Sequence, residues 1–242
     1  MCFHASAKTN QQQLEKRFNS KLKKGTEIVP HYHINGFNHP LIPVIAVNEP
    51  NVIQTFYWGL IPFFANDLID AKKRMNQTLN ARCETVFKLP SFRDSIKTKR
   101  CMVLVDGFYE WRDVAGKKYP YYIHLNDLDA FAFGGIYNDW VNKETGEIIN
   151  TVSIITTEAN PLMAKIHNSK MRMPLILPKE LEREWINPNL KPEEISDLIK
   201  PFDENKMDAY TISKLITNRT ENPDKKEVQL PFEYPELAML DL

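Results

Sequence analysis

The run Cys101-Met102-Val103-Leu104-Val105-Asp106-Gly107-Phe108-Tyr109-Glu110-Trp111-Arg112 carries the plainest strand signal of the 242-residue chain. Cys101 to Val105 is wholly apolar and reads as a strand. Beyond Asp106-Gly107 an extended backbone puts Glu110 on the face that carries Phe108, in a stretch otherwise apolar and aromatic. A carboxylate there loses hydration, and the resulting rise in its pKa suits a general acid or base near neutral pH. A buried Glu paired with Arg82 or Arg112 explains the same pattern, so both readings stand.

Further strands lie on either side. Val52 to Trp58 alternates, Leu41 to Val47 is apolar, and Thr151 to Thr157 and Met171 to Leu177 read as strands. Tyr119 to Leu125 and Ala130 to Gly135 read as a strand pair joined through Asn126-Asp127. Leu14, Phe18 and Leu22 recur every four residues, which predicts a helix from Thr9 to Lys24, capped by Thr9 or Asn10 and stopped by Gly25. Asp67 to Asn76 reads as a short basic helix with Lys72, Lys73 and Arg74, and Phe92 to Lys97 as another helical piece. Pro161 opens a short helix that leaves His167 at or just beyond its end. From Pro178 on, the chain reads as charged helix and loop.

Composition is that of an ordinary globular chain, 43% hydrophobic and 26% charged. No apolar run approaches the roughly 20 residues that span a bilayer, and the start has no secretory segment, so a cytoplasmic protein is expected. Cys2, Cys83 and Cys101 are the three cysteines and lie far apart, which disfavours a disulfide framework or a Cys-based zinc site. Formal net charge is zero, which argues against a general nucleic-acid binder. Residues 66–120 nevertheless carry twelve Lys/Arg against seven Asp/Glu, and residues 179–242 nine against fifteen. A local basic face and plain solvated helix faces both fit that imbalance.

The chain opens Met1-Cys2-Phe3-His4. Removal of Met1 would leave Cys2 with an α-amine and a thiol on adjacent carbons, groups that ordinarily titrate near about 7.7–8.0 and 8.5. Such an aminothiol can attack an acyl carbon, as in N-terminal-nucleophile hydrolases, or capture an aldehyde as a five-membered thiazolidine. His31, His33 and His39 surround Gly36-Phe37-Asn38, and with no Cys or carboxylate near them they read as a turn with surface histidines. Trp58-Gly59-Leu60-Ile61-Pro62-Phe63-Phe64 crowds three aromatics around Gly and Pro; these fit either a core or a platform for an unstacked base, worth roughly 1–3 kcal/mol per base. In Leu79-Asn80-Ala81-Arg82-Cys83-Glu84-Thr85, the residues Asn80, Arg82 and Glu84 share one face if extended.

Met1-Cys2, Trp58 to Pro62, Leu79 to Thr85, Asp106 to Trp111, and Ile166-His167 through Met171-Arg172-Met173-Pro174 occur in one order along the chain. In this they resemble the SRAP family, the SOS-response-associated peptidases. The resemblance implies an α+β fold, a single domain over residues 1–235 with a β-barrel-like mixed sheet core surrounded by helices, and a tail at 236–242. It also implies an abasic-site sensor of the DNA damage (SOS) response that binds single-stranded DNA and cross-links to the ring-opened sugar through Cys2 as a thiazolidine. Carried over by position, Cys2 is the nucleophile, Asn80 orients the amine or sugar, Glu110 shuttles protons, and His167 assists ring opening. Arg82 would hold a phosphate beside the lesion. Trp58 and Phe63 would stack on bases, while Lys72, Lys73, Arg74, Arg100 and Arg172 would complete the DNA-binding set.

Two positions depart from the family pattern. Phe3-His4 stands where Gly-Arg is usual, and the segment from His167 to Arg172 is longer than its counterpart. Two other classes fit the same residues. One is a thiol peptidase limited to removing its own Met1, with lyase activity as an addition; the other is a non-catalytic single-strand binder. No cofactor or metal is expected. The expected partner is single-stranded DNA with abasic sites, with replication-fork proteins as further candidates. A monomer without membrane contact, at the nucleoid when bound to DNA, completes the expectation.

Overall fold

The computed structural model describes residues 2–127, 130–218 and 220–237. Met1, Leu128, Asp129, Arg219 and the end of the expected tail lie outside them. In chain order the elements begin with β1 (His4–Ala7), α1 (Gln11–Phe18), β2 (Lys21–Leu22), β3 (His31–Asn35), β4 (Leu41–Ala46) and β5 (Val52–Trp58). Next come α2 (Leu68–Met75), β6 (Asn80–Arg82), α3 (Ser95–Thr98), β7 (Arg100–Val105), β8 (Gly107–Val114) and β9 (Lys117–Leu125). The chain continues through β10 (Phe131–Val141), β11 (Ile148–Glu158), α4 (Pro161–Ile166), β12 (Arg172–Pro174) and β13 (Ile176–Leu177). It ends with α5 (Glu182–Trp185), α6 (Pro192–Leu198) and β14 (Met207–Thr211).

Five strands close a ring. β4 pairs with β5 and β7, β7 with β10, and β10 with β11, all antiparallel, and the parallel contact of Tyr57 and Trp58 with Thr151 and Val152 joins β5 to β11. The result is a mixed barrel in an α+β fold, as the sequence led us to expect. The apolar run of β7 follows from its two covered faces. Cys101, Val103 and Val105 join one core with Val44, Phe56, Phe108 and Phe133, whereas Met102 and Leu104 join another with Leu14, Phe18, Ile96 and Trp185 of the flanking helices.

A second sheet, ordered β14-β9-β8-β1-β3, packs its Ala5, Phe108, Tyr121 and Ile123 into the first core. This corrects the expected pairing of Tyr119–Leu125 with Ala130–Gly135. β9 pairs with β8 through a turn at Ala115-Gly116, both at positive φ, while β10 pairs with β7. Two successive positive φ angles match the right-handed twist of a tight hairpin, so the turn sets the partner.

Other boundaries shift for local reasons. The first helix begins at the Asn10 cap but ends where Asn19 turns left-handed at φ 45°, and Lys21–Leu22 leaves it to pair beside β5. Strand 171–177 divides into β12 on β11 and β13 on β10. The region after Pro178 contains a strand, β14, which extends the second sheet along β9.

Candidate active site

The N-terminal strand is held in the middle of its sheet, and that placement buries Cys2. His4, Ala5 and Ser6 pair with Tyr109, Phe108 and Gly107, while β3 covers the other edge. Asp106, itself buried, anchors the chain as it leaves β1: it accepts from Ser6 Oγ at 2.5 Å, from the Lys8 and Thr9 backbone N–H groups at 2.5 and 3.0 Å, and from Thr9 Oγ1 at 3.2 Å. Burial raises the Asp106 pKa, and these donors act against that rise. Gly107 is required beside it, because a Cβ there would stand 2.3 Å from the Tyr122 hydroxyl. From the far end of the chain Gln229 donates to Ser6 Oγ at 2.8 Å and Tyr109 Oη at 3.1 Å, and accepts from Lys8 Nζ at 2.9 Å.

Cys2 is fully buried, and its thiol donates a long contact of 3.6 Å to the His4 carbonyl. Burial, and next the negative charge of Glu110, push its pKa well above the usual thiol range. Asn80 donates Nδ2–H to the Cys2 carbonyl at 2.9 Å. It reaches that position because β6 runs parallel to β11, with Asn80 against Ile154.

Glu110 and His167 form the rest of the set. α4 starts with Asn160 accepting from the Met163 N–H at 2.8 Å, carries Pro161 at its first position and ends on His167. His167 Nδ1 lies 2.8 Å from the Arg172 carbonyl, which can only accept, so Nδ1 is assigned the proton and Nε2 the lone pair. The same Nδ1 is 3.6 Å from Glu110 Oε1. Burial pushes the Glu110 carboxyl up to about 8 and the His167 imidazole down to about 4. Close as they are, the two are therefore a neutral acid and a neutral base near pH 7, and not an ion pair.

They open on a cleft of about 580 Å³ that His4 and Trp111 also line. His4 Nδ1 and His33 Nε2 are 2.8 Å apart, with the rings stacked, and Trp111 meets His4 edge-on. Asp224 braces this pair by accepting from the His33 N–H at 3.1 Å and lying 2.6 Å from His31 Nδ1. Burial, and then the neighbouring His33, hold His4 down to about 3; burial holds His33 down to about 4.

Several expected DNA contacts fall elsewhere. Trp58 is buried, donates Nε1–H to the Leu79 carbonyl at 2.9 Å and leaves only 3.2 Å to a Cβ at Gly36, so it packs the core and offers no stacking face. Arg100 is buried and spends its guanidinium on the carbonyls of Trp185, Ile96, Lys97 and Asn187. Arg172 is buried too, bound to Glu84 and to the Thr156 carbonyl at 2.7 Å; it places the carbonyl that orients His167 and is not a phosphate contact. Arg74 pairs with Asp70 at 2.9 Å and stacks over Phe64. Phe63, Lys72, Lys73 and Arg82 are exposed, but none of them lines the cleft.

The histidine turn is also corrected. His33 is buried against His4, and His39 bonds the Trp58 carbonyl and Asn76. Among the described residues no group of three or more His, Cys, Asp or Glu stands where it could hold a metal ion. No described helix is long and apolar enough to cross a membrane. Sequence reasoning missed the bracing role of Asp106 and the presence in the cleft of His4, Trp111, Lys118, Lys170 and Lys214. The carboxylate of Asp106 beside a glycine that ends an apolar strand was the one available signal.

A family model described as SOS response associated peptidase (SRAP) matches residues 1–219. The chain is 38% identical over 198 residues to the abasic site processing protein YoqW of Bacillus subtilis (strain 168), an alignment covering 81% of this chain and 84% of that one. It is 29% identical over 197 residues to the abasic site processing protein HMCES of Xenopus tropicalis, covering 73% of this chain and 57% of that protein. Among solved structures, a protein from Bacteroides thetaiotaomicron superimposes with a TM-score of 0.88 at 39% identity, covering 96% of this chain and all of that one.

Proposed function

The chain belongs to the SOS response associated peptidase (SRAP) family, and on that premise we propose that it processes abasic sites in single-stranded DNA by covalent capture on Cys2. The names of the relatives support the substrate. The observation that carries the chemistry is the convergence of Asn80, a protonated Glu110 and a neutral His167 around the N-terminal cysteine.

An abasic sugar rests mainly as a closed hemiacetal, and only its open aldehyde reacts with an amine. His167 Nε2 takes the proton of the anomeric hydroxyl and returns it to the ring oxygen as the ring C–O bond breaks, so the ring opens to the aldehyde with no net gain or loss of protons. With Met1 removed, the Cys2 amine adds to the aldehyde. Glu110 protonates the carbinolamine hydroxyl, which leaves as water and gives an iminium. The thiol then adds to the iminium carbon, its proton passing to the Glu110 carboxylate, and a neutral thiazolidine results with one water lost overall. Asn80 fixes the Cys2 backbone so that amine and thiol both face one carbon. The raised thiol pKa suits this order, amine first and thiol second. It also suits a peptidase activity confined to one removal of Met1, since a protonated thiol is a poor nucleophile for turnover.

The test is a denaturing gel of the mature protein with single-stranded DNA carrying or lacking one abasic site. A shifted band with the lesion only, abolished by an uncleaved N-terminal tag and reduced to reversible imine by Cys2→Ser, is expected. Equal cross-linking by the tagged protein would overturn the mechanism. Arg82 and Phe63, exposed outside the cleft, belong to binding of the flanking strand, so Arg82→Ala should weaken affinity and lower its salt dependence.

A further inference from the structure

We propose that Lys118, Lys170 and Lys214 form a phosphate-reading site in the cleft that Glu110 and His167 line, which takes the phosphate ester on the abasic sugar. This rests on the function proposed above and assigns the part of the substrate that those residues leave unbound. The three lysines come from separate elements, β9, the loop after α4 and the turn Lys214–Thr217, and they line the one cleft that also holds Glu110 and His167. Each is exposed, so its charge stays hydrated until an anion enters.

The cleft is more cationic than the chain as a whole. Overall the chain carries no net charge, yet the cleft gathers three ammonium groups, and its lone carboxyl is Glu110. The fields of Lys170 and Lys118 reach His167 and help to hold it neutral. Glu236 senses Lys214 but is committed to the Tyr119 hydroxyl at 3.0 Å and lies outside the cleft lining. His4 adds no charge to the cleft, because burial, and then the neighbouring His33, hold it neutral. An ammonium is a point charge on a flexible stem, suited to a phosphate whose position shifts as the sugar ring opens.

The test compares 2-deoxyribose 5-phosphate with 2-deoxyribose as substrates of the mature protein, reading the rate of the Cys2 adduct by intact mass. The wild type should capture the phosphorylated sugar faster at limiting concentration. Each Lys→Gln variant should lower the ratio of the two rates, the triple variant should bring it close to the ratio that free cysteine shows with the same two sugars, and Lys→Arg should restore it. Lys200→Gln, outside the cleft, should leave the ratio as it is. A second measurement uses a single strand with a tetrahydrofuran site, which has no aldehyde and reports binding alone. There the triple variant should reduce the salt slope by about 0.7, the loss of one phosphate contact. A wild-type ratio no higher than that of free cysteine, or a triple variant that keeps the wild-type ratio, overturns the inference while the capture chemistry stands. If neither sugar adds to Cys2, the capture chemistry fails; the tetrahydrofuran strand then decides, and unchanged affinity and salt slope in the triple variant would overturn the lysine site.

Discussion

Glu110 and His167 meet at 3.6 Å as a carboxyl and an imidazole that both stay uncharged near neutral pH. Acid and base are thus present together without neutralising one another, because burial acts on the two in opposite directions. Their titrations bound the working range from about 4 to about 8.

For Glu110 this has a consequence for stability. Folded, it keeps its proton up to about 8, whereas an unfolded Glu loses it near about 4.3. The folded state holds the extra proton between those values, so stability falls as pH rises across that window. Glu110→Gln keeps the shape and removes the titration. Denaturation midpoints should then be flatter from about pH 5 to 9, and cross-linking should slow by about 10²–10⁴-fold. A variant that unfolds at every pH with its residual chemistry intact would return Glu110 to a structural ion pair.

His167 titrates in the other direction. Its folded pKa of about 4 lies below the unfolded value near about 6.5, so the stability it contributes is lost as pH falls from the upper value through the lower. His167→Ala should be slow on an abasic site yet close to wild type on a simple aldehyde with no ring to open. Adduct rates by intact mass on both substrates check this. Equal slowing would move His167 to thiazolidine formation, and no slowing would leave it as the residue that ends α4.

Asn80 acts by donating one hydrogen bond to the Cys2 carbonyl. Asn80→Asp has no N–H to give, so it should cross-link as poorly as Asn80→Ala; the Ala variant should lose about 1 kcal/mol of stability and the Asp variant more, since it buries a carboxylate against a carbonyl oxygen. Full activity in the Asp variant would show that the side chain serves by its shape.

Asp106 satisfies two backbone N–H groups and two hydroxyls where β1 leaves its sheet. Asp106→Ala strands those buried donors and should cost roughly 1–3 kcal/mol per unsatisfied group. Hydrogen exchange should then quicken at Ser6 to Thr9 before it does in β10 and β11. Uniform exchange across the chain would place the role of Asp106 in global stability.

Some of this molecule is written locally. The limits of β5, the Asp67 start of the basic helix, the Asn10 cap and the apolar course of β7 follow from periodicity and capping, which depend on residues a few positions apart. The facing of Glu110 with Phe108 follows from strand alternation, and the proposal of Cys2, Asn80, Glu110 and His167 rests on motifs that stand in one order along the chain. Trp58 and Arg100 were misjudged because an aromatic or a basic residue carries no mark of its burial. The closure of β5 on β11, the separation of β9 from β10 and the gathering of three lysines in the cleft of Glu110 and His167 were decided by the tertiary structure alone. So was the neutral state of His167, whereas the rise at Glu110 was already expected from its apolar strand. Desolvation and charge act through space, between groups that the chain order keeps far apart, and only the packed fold sets those distances.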